Sequence, residues 1–97
     1  MDQAVDPETL HRIQACIAKA ADGAIEAHDV QTRAAGPVTF IQFHLVVPAS
    51  ITVTEAHDIC DRVEHALWET VPGARVTIHV EPEHKAKHAG IIMRADS

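Results

Sequence analysis

Five residues of this chain combine metal-binding chemistry with a suitable spacing. They are four histidines and one glutamate: His28, His44, His57, His79 and Glu81. Imidazole nitrogens and carboxylate oxygens suit zinc and neighbouring first-row metals, and the lack of cysteine at these positions argues against a cysteine-rich structural zinc site. The sequence contains no nucleophile motif, phosphate-binding loop or pair of catalytic acids, so a binding protein is favoured over an enzyme.

His79 and Glu81 belong to the clearest strand signal of the chain. Residues 75–81 alternate strictly between apolar and polar side chains, which predicts a strand with both ligands on one face. The rise per residue separates them by about 7 Å along the strand. They could therefore hold one ion, or two adjacent ions that share the carboxylate.

His44 lies in the stretch around which the chain is organised, residues 38–47. Its β-branched and aromatic residues predict a strand with Ile41 and Phe43 on one face and Phe40 and His44 on the other. The chain's own helices would cover the first face. A partner chain would cover the second, because 97 residues supply too few elements for another layer.

The two remaining candidates belong to other predicted elements. His57 stands four residues before Asp61 on a second predicted helix, which begins at a capping box over residues 52–55. This spacing makes the two side chains neighbours at one edge of the helix's apolar stripe. His28 occurs in a first predicted strand, residues 24–32, whose apolar pattern is mixed.

Each of these signals also has an ordinary explanation. A single strand histidine is more often a hydrogen-bonded or exposed side chain than a ligand, and His57 with Asp61 could be only a solvated helix face. His84 and His88 could form a weak chelator, but a solvated tail explains them more simply. On spacing alone, the sequence describes a soluble homodimeric α/β module with a candidate metal site.

The elements that position these residues follow the order α-β-β-α-β. Asp6 and Pro7 predict a helix start, and the turn at residues 34–37 predicts a hairpin between the first two strands. Three strands with two helices on one face form an α+β, two-layer, open-faced sandwich of the ferredoxin-like or metallochaperone-like type. The bare sheet face would expose Phe40 and Val46, which predicts a homodimer.

Composition bounds the remaining alternatives. The net charge of −6 argues against a nucleic-acid surface, and no apolar run is long enough to span a bilayer. Cys16 and Cys60 fall within helical patterns, so buried thiols in a reducing cytoplasm are expected.

The folded domain is predicted to span residues 1–82, followed by a disordered tail over residues 83–97. The predicted core stripe of the second helix consists of Val53, Ala56, Cys60, Val63 and Leu67.

A longer pattern links the histidines to the apolar segments around them. It consists of His28-Asp29, Thr32-Arg33, Gly36-Pro37, Phe40-Ile41, His44-Leu45, Glu55-Ala56-His57, Asp61, Val63-Glu64, Pro72-Gly73, Ile78-His79 and Glu81-Pro82. This pattern covers residues 7–82 and resembles the C-terminal cytoplasmic domain of cation diffusion facilitator transporters. Among these transporters, it is similar to the bacterial ferrous-iron-efflux and zinc-efflux type.

The resemblance implies a domain that dimerises and binds a divalent cation at the dimer interface, which stabilises a closed arrangement of the transporter. Zn²⁺ is the first expectation for the ion, and Fe²⁺, Mn²⁺ and Cd²⁺ also suit the ligands. The implied ligands, some from the opposite protomer, are His28, His44, His57, His79 and Glu81. The family usually has aspartate in place of Glu81, and the longer side chain moves its oxygens outward.

The resemblance also implies a cytoplasmic domain of a membrane transporter, with a second copy and the transporter's own transmembrane domain as partners. The chain is then most simply an excised domain, with a free-standing soluble homologue as the other interpretation. Two different functions compete with metal sensing. One is a metal-independent dimerisation or docking module. The other is a soluble metallochaperone, which the missing C-x-x-C loop of copper carriers makes less favoured.

Overall fold

Two helices and three of the strands form in the predicted order. The structure, a computed structural model, describes residues 3–93. Its elements are α1 (Pro7–Ala20), β1 (Glu26–Ala35), β2 (Val38–Val46), α2 (Val53–Thr70), β3 (Ala74–Glu81), a 3₁₀ turn (Glu83–Lys85) and β4 (Ile91–Ile92). The predicted ferredoxin-like α+β sandwich is confirmed, and the 3₁₀ turn and β4 are the elements that the sequence analysis did not predict.

Side-chain caps explain why both helices begin where they do. Asp6 accepts a hydrogen bond from the backbone N–H of Thr9 at 2.8 Å, and Pro7 occupies the first helical position. Thr52 and Glu55 form the predicted capping box at the start of α2. Both helix starts are therefore local features that can be read from the sequence.

The strands are arranged in the order β3-β2-β1-β4. β1 and β2 form an antiparallel hairpin, whereas β2 and β3 run parallel, with α2 as the connection between them. β4 pairs with the free edge of β1 in antiparallel orientation. The sheet therefore has four strands where the sequence predicts three.

Both helices pack against the same face of the sheet. The core joins α1, β2 and α2 through Ile13, Ile17, Ile41, Phe43, Leu45, Ile59, Val63 and Leu67. The predicted stripe of α2 is wrong at Val53, which is 87 % exposed because it occupies the first helical position, and Ile59 lies in the core instead. Cys16 and Cys60 are half-buried, not fully buried as predicted.

The last part of the chain differs from the expected disordered tail over residues 83–97. After the 3₁₀ turn it returns to β1, where the backbone N–H of Met93 donates to the carbonyl oxygen of Ile25 at 3.0 Å. We call residues 83–93 the strap. A two-residue strand has no periodicity to detect, so the sequence analysis missed it. Residues 94–97 lie outside the described residues, and the domain boundary at residue 82 stays a prediction.

A β-bulge interrupts the pairing of β1 with β2. His28 pairs with His44 and Gln31 pairs with Gln42, so two residues of β1 lie opposite one residue of β2. Asp29, inside the bulge, has a φ of +54°, a left-handed conformation that aspartate tolerates better than most residues. The bulge explains why the apolar pattern of this strand is mixed in the sequence.

The sheet face away from the helices is less open than the sequence indicates. Val46, predicted to be exposed there, is fully buried within its own chain. Phe40 is half-buried, and the guanidinium carbon of Arg33 lies 3.9 Å from its ring centroid. Contacts within one chain therefore cover part of this face. The apolar argument for a homodimer is correspondingly weaker, and the homodimer stays a prediction.

Candidate metal centre

Three histidines stand side by side, one on each of three neighbouring strands. His28 on β1 pairs with His44 on β2, and His44 pairs with His79 on β3. The ring centroids are 5.6 Å apart for His28 and His44 and 4.9 Å apart for His44 and His79. Because adjacent strands are about 4.8 Å apart, one shared register is enough to bring the three rings together.

Glu81 joins this row from the next position of β3 on the same face. Its Oε1 lies 2.7 Å from Nδ1 of His44 and 3.1 Å from Nε2 of His28. One carboxylate oxygen therefore contacts two imidazoles that belong to two other strands. We call His28, His44, His79 and Glu81 the sheet cluster.

His28 is the most deeply buried member of the sheet cluster. Its side chain is 3 % exposed, whereas that of His44 is 32 % exposed. On the other side of the ring, Nδ1 of His28 lies 2.7 Å from Oε2 of Glu26, whose side chain is 1 % exposed. His28 thus lies between two carboxylates, Glu26 and Glu81. A neutral imidazole can donate a hydrogen bond to only one of them.

The surroundings of both carboxylates favour the ionised form. The hydrogen bond from the His44 ring is the largest cause of the lowered pKa of Glu81. Burial opposes it with the next-largest effect, and the hydrogen bond from the His28 ring lowers the pKa further. Burial raises the pKa of Glu26, but hydrogen bonds from two strap N–H groups and from His28 lower it more in sum. Both groups therefore carry a negative charge at neutral pH and can face a cation.

Asp29 belongs to the same site, although the sequence analysis did not name it as a ligand. In a regular strand its side chain would project away from that of His28. With the bulge in place, ligand atoms of His28, Asp29 and His44 all lie within 4.8 Å of one another. The only signal of this in the sequence was the mixed pattern of the strand, which does not identify a residue.

His57 lies apart from the sheet cluster. Its Nε2 is 3.3 Å from Oδ2 of Asp61, and the two side chains are 73 % and 62 % exposed. We call these two residues the helix pair. The groove that they line also includes Ile78 and Val80, which alternate with His79 along β3 and so project from its other face. The predicted contact within the helix pair is present, but the strand separates it from the sheet cluster of its own chain.

The donor set of the sheet cluster fits a divalent cation. Imidazole nitrogens and carboxylate oxygens from three strands converge there without a thiolate, and this combination suits zinc and neighbouring metals. Ligand atoms around a tetrahedral zinc, each about 2.1 Å from the ion, are roughly 3.4 Å apart. The separations of 2.7 Å and 3.1 Å to Glu81 are close to that value, so only small side-chain movements are needed.

Comparison with known proteins identifies the family to which the chain is similar. Residues 5–83 match the family described as the cytoplasmic domain of cation efflux proteins. An uncharacterised transporter of Synechocystis is 43 % identical over 82 residues, which are 84 % of this chain and 26 % of that protein. The cation-efflux pump FieF of Yersinia enterocolitica is 44 % identical over 70 residues, 69 % of this chain and 23 % of the pump. The chain thus spans about a quarter of the length of these relatives.

A solved structure of CzrB in its zinc form has the same fold. The TM-score is 0.80 at 48 % identity, and the match covers 90 % of this chain and 99 % of that one. Within residues 3–93, neither helix is both long and apolar enough to cross a membrane. The resemblance to cation diffusion facilitator domains is therefore confirmed by sequence and by fold. The chain belongs to the family of cation efflux protein cytoplasmic domains.

Proposed function

We propose that this chain is the metal-sensing, dimer-forming domain of a divalent-metal efflux transporter. It binds Zn²⁺, or Fe²⁺, Mn²⁺ or Cd²⁺ of similar ligand preference, at the interface of two protomers. The ligands are His28, His44, His79 and Glu81 of one protomer together with His57 of its partner. The observation that carries this proposal is the row of three histidines in one register, with Glu81 in contact with two of them.

The sheet cluster supports specific binding because its geometry is set by the fold. Three strands hold the side chains at fixed separations, so little order has to be created when an ion arrives. The bound ion supplies positive charge opposite the ionised Glu81. The zinc form of CzrB, at 48 % identity, supports zinc as the first choice among the compatible metals.

The helix pair supports participation of a second protomer. His57 is 73 % exposed and cannot reach the sheet cluster of its own chain, but it is available to another chain. Val53 and Val80, on the same groove, are 87 % and 47 % exposed and form apolar surface that a partner would cover. The net charge of −6 makes two copies repel each other, and cations between them reduce that repulsion.

The ion then acts by selecting an arrangement of protomers. Metal-free protomers sample several relative angles, and the ion stabilises the closed one by contacting both chains. In a full transporter this would bias the membrane helices. The bias cannot exceed the difference in metal affinity between the open and closed arrangements.

Zinc titration against a chromophoric chelator, with light scattering on the same samples, tests the proposal. We expect saturable zinc binding and the mass of a dimer at high micromolar concentration. A monomer under these conditions, with and without zinc, would contradict the dimer. Unchanged zinc affinity in the double variant His44→Ala, Glu81→Ala would contradict the ligands.

Paired spin labels separate metal sensing from metal-independent dimerisation. Glu69→Cys on the exposed face of α2 would carry the label, in a background in which Cys16 and Cys60 are alanine. Zinc should narrow the distance distribution between the two labels. A dimer whose distribution is the same with and without zinc would instead support a docking module.

A further inference from the structure

A buried carboxylate stands behind the ligand His28 and is not among the proposed ligands. Glu26 is 1 % exposed, and both of its oxygens are engaged. Oε2 lies 2.7 Å from Nδ1 of His28 and accepts from the backbone N–H of Lys87 at 2.8 Å. Oε1 accepts from the backbone N–H of His88 at 3.0 Å. Charge-assisted hydrogen bonds to a buried carboxylate are strong and hold it in one orientation.

The strap supplies two of these three donors, and its path is tightly fixed. Its end is tied to β1 by the pairing of β4 and by the hydrogen bond from Met93 to Ile25. At Gly90 it passes so close to β1 that an added Cβ would lie 2.5 Å from the carbonyl oxygen of Ala27. Gly90 also has a φ of +80°, which favours glycine.

We propose that Glu26 is a positioning residue for the metal ligand His28, and that the strap holds Glu26 in place for this role. The inference rests on the proposed metal-binding function. The strap thus affects the affinity for the ion through Glu26 and His28, without contacting the ion itself.

The geometry explains how Glu26 would prepare the ligand. The contact from His28 Nδ1 to Glu26 is 2.7 Å, whereas that from Nε2 to Glu81 is 3.1 Å. With the ring neutral, we assign its one proton to Nδ1 and thus to Glu26, which leaves Nε2 free to ligate an ion beside Glu81. A carboxylate behind a ligating histidine fixes the tautomer and the ring orientation, and its loss typically lowers metal affinity about 10- to 100-fold.

Glu26→Gln tests this role with little change of shape, because a neutral amide is a weaker acceptor for His28 than the carboxylate and its NH₂ group cannot accept from one of the three donors. We expect the zinc Kd to rise about 10- to 100-fold. Long-range nitrogen–proton NMR of the metal-free protein should show that His28 loses its single Nδ1–H tautomer. The matched control, Glu69→Gln on the exposed face of α2, should change neither property.

A pair of glycine variants tests how the strap is seated on β1, where a Cβ at residue 90 would also lie 3.2 Å from Cα of His28. Gly90→Ala and Gly36→Ala both place alanine at a positive φ, +80° and +59°. Only Gly90→Ala meets neighbouring atoms, since nothing lies within 4 Å of a Cβ at Gly36. Gly90→Ala should raise the zinc Kd about tenfold and speed amide exchange at Lys87 and His88. Gly36→Ala should leave both within about twofold of the wild type.

The outcomes separate this inference from the function on which it rests. A wild-type chain without saturable zinc binding overturns both. Wild-type zinc affinity in Glu26→Gln, together with its loss in His44→Ala, overturns the positioning role and leaves the metal site intact. A weaker Kd with an unchanged His28 tautomer would show that Glu26 is only structural. If Glu26→Gln fails to fold, equal zinc affinities of Gly90→Ala and Gly36→Ala overturn the role of the strap.

Discussion

The sheet cluster and the helix pair both combine histidine with a carboxylate, but their surroundings differ. In the sheet cluster, His28 is 3 % exposed and contacts carboxylates on both sides of its ring. In the helix pair, the two side chains are 73 % and 62 % exposed and contact each other at 3.3 Å. An exposed pair four residues apart on a helix stabilises a protein by about 0.3–0.5 kcal/mol.

This difference shows what each kind of element can build. A strand register fixes three side chains from three segments at once, so the sheet cluster has its geometry before an ion arrives. The helix pair comes from a single segment and is exposed at the surface. It can complete a metal site only when another chain brings further ligands to it.

Loss of the central ring should weaken metal binding more than any other single change. His44 contacts Glu81 and lies between His28 and His79, so His44→Ala removes the residue that connects the sheet cluster. We expect the zinc Kd to rise at least about 100-fold, the upper end of what indirect contacts contribute. Competition with a chromophoric chelator measures it. Gln42→Ala, two residues away on the same strand face, is the control and should bind zinc normally.

The helix pair should matter only in the dimer. His57→Ala is expected to weaken zinc binding about tenfold, or roughly 1.4 kcal/mol, at concentrations where the chain is dimeric. In dilute solution, where protomers separate, the variant and the wild type should bind zinc alike. Titrations at two protein concentrations measure this. Equal loss of affinity at both concentrations would place His57 in the site of its own chain.

Much of the fold could be predicted from the sequence, because local chemistry determines it. The caps at Asp6 and Thr52 and the alternation of residues 75–81 each act within a few residues. The strap could not be predicted in this way. Its docking depends on a buried carboxylate from β1, Glu26, that is far away in sequence from the N–H groups it accepts.

The candidate site was predictable to a similar degree. Period-two alternation was enough to select His44 and His79, since regular strands carry them. Asp29 was missed because a bulge changes the face to which a residue belongs, and no pattern in one sequence marks a bulge. The resemblance implied that some ligands come from the opposite protomer but did not single out His57, whose separation from the sheet cluster depends on how α2 packs on β3.

The carboxylate of the sheet cluster should also make the stability of the metal-free protein depend on acid. The folded-state pKa of Glu81 is lowered, first by the His44 ring, so its contribution to stability is present above the pKa of the unfolded state. That contribution is lost as pH falls below about 4.3, the usual glutamate value, through the lower folded value. Glu81→Gln should therefore be less stable than the wild type at pH 6, with the difference disappearing toward pH 3. Urea unfolding at several pH values measures this.

The Glu69→Gln variant is the control for the acid experiment, since it removes a carboxyl group on the exposed face of α2. Its stability should follow that of the wild type across the same pH range. If Glu81→Gln keeps the full stability difference at pH 3, the carboxylate is not stabilised by the histidine rings. The sheet cluster would then lack the charge complementarity that the distances indicate.

The smallest expected effect concerns the electrostatic field beside the helix pair. Burial is the main cause that raises the pKa of the Cys60 thiol, and the negative charges of Asp61 and Glu64 add to it. Asp61→Asn removes one of these charges, so a larger fraction of thiolate should react with iodoacetamide at pH 8. In a Cys16→Ala background, which leaves one cysteine, we expect the alkylation rate to rise about twofold. Asp58→Asn, on the same helix but not among the charges that act on Cys60, is the matched control.

If Asp61→Asn leaves the alkylation rate unchanged, burial alone keeps the Cys60 thiol protonated. The helix pair would then contribute little field with which to attract a cation before a second protomer arrives.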